Sequence, residues 1–486
     1  MIPDYFYPIT VALCLAAVIA AYFGNNPLKH SSWFMTRRFI NWFPLGLTYA
    51  FLCMGRYNLI VAKGALGTLM SKSDLGIIFG VGTWVYALSF LVNGPLIDKK
   101  IGGKRGMLIS AVGVSLSNVA LGVLTWLITA KQCKINLVLS FTLLYAVNMY
   151  FQSFGSMSII KVKAYWFHVR ERGVFGAIFG TLISVGVYFA FDWGGTIIRQ
   201  TKANASGILR DVFVSASHPL DATWSVFYIP AAILIFWAAV DLWLIKDSPE
   251  EAGFAHLDTC DASSGKMHIE ISVADLLKRI FTSKLMMLIA VAELTGGVFR
   301  YAMMNWYPSF AAEVKQPGAE IFSQHWGWFT CVFGIVGGFT GGLISDHLFQ
   351  SRRGPPTAML CGFVLLTAAV MSLVLYTQPA VVGWAAVFIV MASIGITSLM
   401  SGTAATDFGG RKATATAMGI INGFAYLGSG IQSICLGFLI MHKGWQWWPI
   451  FVLPFAVLGL FCTVKIWHDL PEATHRYNAE MARGKT

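Results

Sequence analysis

The stretch GPLIDKKIGGKR, residues 94–105, is a short basic turn between two apolar runs, and GGLISDHLFQSRRG, residues 341–354, repeats its plan. In each copy a Gly precedes an Asp by four residues (Gly94 and Asp98; Gly342 and Asp346), and an Arg follows that Asp by seven (Arg105; Arg353). An arginine also lies inside an early apolar span upstream of each copy. Arg56 stands 42 residues before Asp98 and Arg300 stands 46 before Asp346. One copy alone could be no more than a solvated basic turn, but two copies at nearly equal spacing point to a duplicated unit.

The units are membrane-spanning. The chain has 486 residues, 56% of them hydrophobic and only 12% charged, with a mean hydropathy of +0.64. That excess lies outside the range of soluble domains. Apolar spans of about 20 residues recur along the chain, too strong per segment for a transmembrane barrel, so the fold class is an all-α membrane protein. We count thirteen candidate helices. The net charge of +12 gathers on alternate loops, at Lys99, Lys100, Lys104 and Arg105, Lys161 and Lys163, Arg352 and Arg353, and Arg411 and Lys412. By the positive-inside rule these loops are cytoplasmic, which explains the basic excess without a nucleic-acid partner. The eight cysteines show no metal-ligand spacing; Cys53, Cys331, Cys361 and Cys435 read as small core residues.

Residues 1–28 form an extra N-terminal helix, read as retained because Asp4 stands where a signal peptide would carry basic residues. Lys29, Arg37 and Arg38 follow it, which places the N-terminus outside and the C-terminus in the cytoplasm. Residues 29–246 then make one six-helix bundle and 284–467 a second, pseudosymmetric one. Between them runs a polar central loop, 247–283, in which ISVADLLKRIFTSK reads as an amphipathic interfacial helix. Residues 468–486 are a cytoplasmic tail.

The repeated Gly-x-x-x-Asp loop resembles the loop motif of the major facilitator superfamily. In that superfamily it joins the second and third helices of each half, and its basic residues pair across the domain boundary. RYAMMNWYPSFAAEV, YWFHVRERG, DSPEEAGF and TATAMGIINGFAYLGSG, together with the second loop, resemble the organophosphate:phosphate antiporter family of glycerol-3-phosphate and hexose-6-phosphate transporters. The resemblance runs from about residue 40 to 467. It implies a major facilitator fold, alternating access, and a bacterial inner-membrane location.

The two intramembrane arginines carry the chemistry. On the translocon-insertion scale each costs roughly 3 kcal/mol at the centre of a span. A phosphate ester would repair both, since its oxygens accept guanidinium forks and its charge near neutral pH is about −1.5 to −2. The competing reading pairs each Arg with a protein carboxylate or lets it snorkel. Asp192 and Asp241 fall near the ends of their spans, which leaves Glu293 as the acidic residue well inside one. Glu293 is either a proton-coupling site or a carboxyl hydrogen-bonded to a neighbouring helix. The resemblance implies that Arg56 and Arg300 hold the phosphate, with Tyr49, Tyr86 and Tyr426 around them; as isolated residues these tyrosines read more often as core or interface aromatics.

The departures are as informative. Where relatives carry a second-helix Lys and a fifth-helix His, this chain has Phe90 and Ile183. A Lys after the first arginine and an Asp five residues after the second are replaced by Tyr57 and Asn305, both neutral. The expectation is a secondary transporter of an organophosphate or related anion, a monomer exchanging it for inorganic phosphate, with Asn305 among the binding residues. Two alternatives are a membrane-bound phosphate-ester sensor on the same scaffold and a proton-coupled organic anion transporter using Glu293. No Ser/His/acid set, metal cluster or phosphate-cradling loop with a Lys points to an enzyme or a cofactor.

Overall fold

The computed structural model describes residues 5–24, 26–131, 136–168, 171–216, 219–257, 277–278, 281–315, 317–349, 352–408 and 410–468. Most of the central loop, most of the segment read as an interfacial helix and nearly all of the expected tail lie outside these residues. The helices in chain order are α1 (Phe6–Gly24), α2 (Ser32–Leu66), α3 (Lys72–Leu96), α4 (Gly103–Thr129), α5 (Leu137–Trp166) and α6 (Arg172–Tyr188). A π turn over Phe189–Trp193 joins α6 to α7 (Gly194–Gln200), followed by α8 (Ile208–Phe213) and α9 (Ser225–Leu244). Then come α10 (Lys284–Val314), α11 (Pro317–Gln324), α12 (Trp326–Leu348), α13 (Gly354–Val374), α14 (Pro379–Phe408), α15 (Gly410–Lys443) and α16 (Trp447–Lys465).

Among the described residues there is no strand, and 12 helices are long and apolar enough to cross a membrane. The 23-residue α12 is a further apolar helix between two of them. Helices are forced here, because hydrocarbon offers no partner to an open backbone N–H or C=O. Local sequence sets the ends. Ser71 and Asp74 form a reciprocal capping box at the start of α3, and Gly67, at φ 55°, ends α2. Pro95 weakens the last turn of α3, and the chain continues as a π turn over Ile97–Ile101 that carries Asp98, Lys99 and Lys100.

Six spans precede the central loop and six follow it, with α1 standing before them, and two seams join the halves: α3 along α15 and α6 along α12. The first seam is close because Gly76 faces α15; a Cβ there would sit 2.5 Å from the Ser433 carbonyl oxygen. Both seams are tied at one end of the molecule. Lys72 Nζ pairs with Glu313 Oε2 at 2.8 Å, and Trp445 Nε1 donates to the same oxygen at 2.8 Å. On the other seam Asp192 accepts from the Gly327 and Trp328 amides at 2.8 and 3.2 Å, capping the N-terminus of α12 from the opposite half.

Asp192 and Asp241 lie towards the ends of their spans, as expected, and both are buried; Asp241 accepts from Thr48 Oγ1 at 2.7 Å. Two expectations change. Cys435 is exposed rather than in the core. Arg38, counted as a loop charge, is buried and grips Glu171 with both Nη atoms, at 2.9 and 3.0 Å.

Burial alone would raise the Glu171 carboxyl; the Arg38 hydrogen bonds and charge outweigh it, with help from His30 and the His168 amide, and the net shift is downward. The pair therefore stabilises the fold fully above the ordinary glutamate range and loses its effect as pH falls through the depressed value. Glu171→Gln strands a buried guanidinium, so thermal unfolding in detergent at neutral pH should show a loss of about 3–5 kcal/mol. The variant should also lack the acid-side destabilisation of the parent.

Candidate anion site between the two halves

Arg56 sits on α2 and Arg300 on α10, the first long helix of each half, and the fold brings both to one aromatic cluster at the interface. Arg56 is buried. Its Nη2 donates to Tyr86 Oη at 3.1 Å and to Gln152 Oε1 at 3.2 Å, and its Nη1 donates to Tyr426 Oη at 3.3 Å. The guanidinium also lies 4.7 Å from the Tyr86 ring centroid and 5.9 Å from that of Tyr426. Arg300 lies 5.7 Å from the Tyr301 ring. The Nε of each arginine has no partner.

The rings interlock across the seam. Tyr86 and Tyr426 meet edge to face at 4.4 Å, Tyr301 lies 5.8 Å from Tyr426, and Phe90 packs 4.6 Å from Tyr86. Tyr49 is buried against Arg56 and Tyr86. Tyr57 faces Arg300 and stacks on Phe191 at 5.6 Å. Cys53 and Tyr57 lie within the field of both arginines. Tyrosine suits two cations that must stay buried without an ion pair, since its face attracts a guanidinium and its hydroxyl accepts. Among the described residues no carboxylate lies within ion-pair reach of Arg56 or Arg300.

Backbone proximity builds the cluster. A Cβ on Gly297 of α10 would overlap the Ala425 carbonyl oxygen of α15, so only glycine lets these helices touch at the residue before Tyr426. On the other side, Gln152 Nε2 donates to the Leu52 carbonyl at 2.8 Å and Tyr145 Oη to the Arg56 carbonyl at 3.2 Å, fixing α5 against α2.

Of the residues singled out from sequence, Arg56, Arg300, Tyr49, Tyr86 and Tyr426 come together. Asn305 is buried nearby on α10 in sequence terms, and neither of its amide atoms has a partner. Glu293 is fully buried two turns before Arg300, with Thr397 and the Ser401 backbone as polar neighbours; neither of its oxygens closes a hydrogen bond. Sequence reading missed Gln152, Tyr145, Tyr301 and the direct role of Tyr57. The signal for Gln152 was present, as a lone amide in the middle of an apolar span.

The basic loops are elsewhere. Asp98 accepts from Lys161 Nζ at 3.2 Å, an ion pair with α5 inside its own half; Gly94 is buried and Arg105 exposed. Asp247 accepts from the Lys104 amide at 2.6 Å and so pins the start of α4. Arg353 Nη1 donates to Ser345 Oγ at 2.9 Å, while the Gly342 and Asp346 side-chain positions lie outside the described ones.

A helical membrane protein whose halves meet at a two-arginine site inside the bundle has the architecture of a secondary carrier. The Major Facilitator Superfamily family model matches residues 45–433, and the chain belongs to that superfamily. It is a transporter-fold protein, not an enzyme. It is similar to the glycerol-3-phosphate transporter of Bacillus subtilis, strain 168, with 24% identity over 83% of this chain and 86% of the relative. It also resembles the membrane sensor protein UhpC of Salmonella typhimurium, at 22% identity over 86% of this chain and 87% of the relative. A probable hexose phosphate transport protein of Chlamydia trachomatis is 21% identical over 84% of this chain and 85% of the relative. Among solved structures, a bacterial homolog of the human lysosomal transporter Spinster, inward-facing and unoccupied, superposes with a TM-score of 0.65. Identity there is 15%, covering 90% of this chain and 98% of the other.

Gly297→Ala should overpack the α10–α15 contact and cost about 1–3 kcal/mol. Thermal unfolding in detergent should show it as a clear fall in midpoint, whereas Gly362→Ala, where a Cβ meets nothing within 4 Å, should leave the midpoint almost unmoved.

Proposed function

We propose that this chain carries an organophosphate or related phosphate-bearing anion across the membrane by alternating access, in exchange for inorganic phosphate. The observation that supports it is the pair of arginines, a buried Arg56 held by two tyrosines and an amide and a half-buried Arg300 beside the Tyr301 ring, with no carboxylate in ion-pair reach among the described residues. Residues 29–246 and 284–467 are the rocking halves, with the N-terminus outside and the C-terminus in the cytoplasm. Like charges on opposite halves repel in a low-dielectric interior. An anion bridging both guanidinia removes that repulsion and lowers the barrier to rocking, so the loaded carrier reorients and obligate exchange follows. The resemblance to phosphate-ester transporters points the same way. Phe90, Tyr57 and Asn305 replace charged groups, leaving the phosphate clamp and rewriting the contacts to the rest of the substrate.

The test is a counterflow screen of phosphate esters in proteoliposomes. Arg56→Lys and Arg300→Lys keep charge but lose the fork, and each should weaken exchange by at least tenfold, the size of about one charge-assisted hydrogen bond. Unaltered affinity in both variants would remove the assignment; specific binding without flux would favour a sensor.

A second reading rests on Glu293. This carboxyl is fully buried inside a span, with Thr397 and the Ser401 backbone as polar neighbours and no cation within ion-pair reach among the described residues, the setting of an acid that can take up and release a proton. If protons drive transport, Glu293→Gln abolishes pH-driven uptake and spares exchange at equal pH. Uptake that keeps its response to a pH gradient in that variant rejects this coupling role.

A further inference from the structure

We propose that α1 is a strap that spans the two halves and holds shut the end of the molecule at Gly327, an inference that rests on the alternating-access reading above. The helix is poorly integrated for a span, with 22% of its apolar window buried inside the molecule against 89% for α2. Its attachments concentrate at its two ends and go to opposite halves.

At its C-terminal end α1 belongs to the first half. Tyr22 Oη donates to the Met35 carbonyl at 2.8 Å and accepts from Arg38 Nε at 3.0 Å, which joins it to the buried Arg38–Glu171 pair. The Tyr22 ring also meets Trp42 edge to face at 5.2 Å. At its N-terminal end α1 belongs to the second half. Thr10 Oγ1 accepts from Trp328 Nε1 at 2.7 Å, Tyr7 stacks on His325 with centroids 3.5 Å apart, and Phe6 lies 5.8 Å from Trp328. Between these ends α1 packs on α6. It therefore overlies the seam where Asp192 of the first half caps α12, and it grips the residue whose amide Asp192 holds.

A helix is stiff along its axis, because stretching it breaks backbone hydrogen bonds that hydrocarbon cannot replace. Thr10 and Tyr22 are twelve residues apart, about 18 Å at 1.5 Å per residue. When the halves part at the Gly327 end, that rod cannot lengthen, so one anchor must release. The Tyr22 anchor is buried in an ion-paired network, whereas Trp328 itself holds α1 through a neutral hydrogen bond to Thr10 and ring contacts. Opening at this end thus requires Trp328 to leave Thr10, and α1 biases the carrier towards the state closed there.

The test needs no substrate, so it stands apart from the phosphate assignment. Spin labels at Lys202→Cys and Glu320→Cys, exposed positions of the two halves at this end, report its opening by double electron–electron resonance. The full-length chain in nanodiscs is used, with accessible cysteines replaced by serine. Thr10→Val removes the acceptor at nearly constant shape, and Tyr7→Leu removes the stack. A rise of about fivefold in the open-to-closed ratio in either variant, the effect of one hydrogen bond, with an unchanged unfolding midpoint, supports the strap. Distributions identical to the parent in both variants overturn it, as does an equal shift from Leu13→Ala, whose side chain points away from the protein.

Discussion

The constraint on which the rest depends is the placing of two guanidinium groups inside the bundle, Arg56 buried and Arg300 half-buried, with no carboxylate in ion-pair reach among the described residues. Neither Arg56 nor Arg300 can lose its proton in a protein, so the bundle must supply an environment that tolerates permanent charge. It does so with polarisable and neutral groups: ring faces, tyrosine hydroxyls and one glutamine amide around Arg56, and the Tyr301 ring beside Arg300. A carboxylate would satisfy the cations more strongly and would also cancel the positive field that makes the centre attractive to an anion. The tyrosines leave that field in place, and the unpartnered Nε of each arginine remains available for a further acceptor.

Helix geometry follows from the same demand. To put Tyr426 of the second half within 3.3 Å of Arg56 of the first, α15 must approach α10 on one side and α3 on the other. Gly297 and Gly76 permit those approaches, since a Cβ at either place would run into a backbone carbonyl of α15. The carboxylates that remain are assigned to structural tasks far from the site. Asp192 caps a helix across the seam, Asp241 binds Thr48, Glu171 holds Arg38, and Asp98 holds Lys161. Glu293 stands apart from them as a buried acid with no ion-pair partner among the described residues, beside Thr397 and the Ser401 backbone.

Two seams and a strap close one end of the protein by different means. The α3–α15 seam uses backbone contact with a Lys72–Glu313–Trp445 tie, the α6–α12 seam uses a carboxylate on helix amides, and α1 lies over the second. Each is a small number of polar contacts on a close-packed surface, a design that can break and reform as a unit.

The sequence by itself determined the class and the chemistry. Hydropathy period and length marked the spans because bilayer thickness fixes how many apolar residues a helix needs. The matched Arg56 and Arg300 were legible because a charge in hydrocarbon is costly enough to stand out in one chain. Tertiary structure decided everything that depends on which faces meet. That Gln152 and Tyr301 join the site, that Arg38 is a buried partner of Glu171 rather than a loop charge, and that α1 bridges both halves are contacts between residues far apart in the chain, 318 positions in the case of Thr10 and Trp328. Apolar all-round helices carry little periodic signal about facing, so composition cannot say which side turns inward. Only the packing of the bundle does.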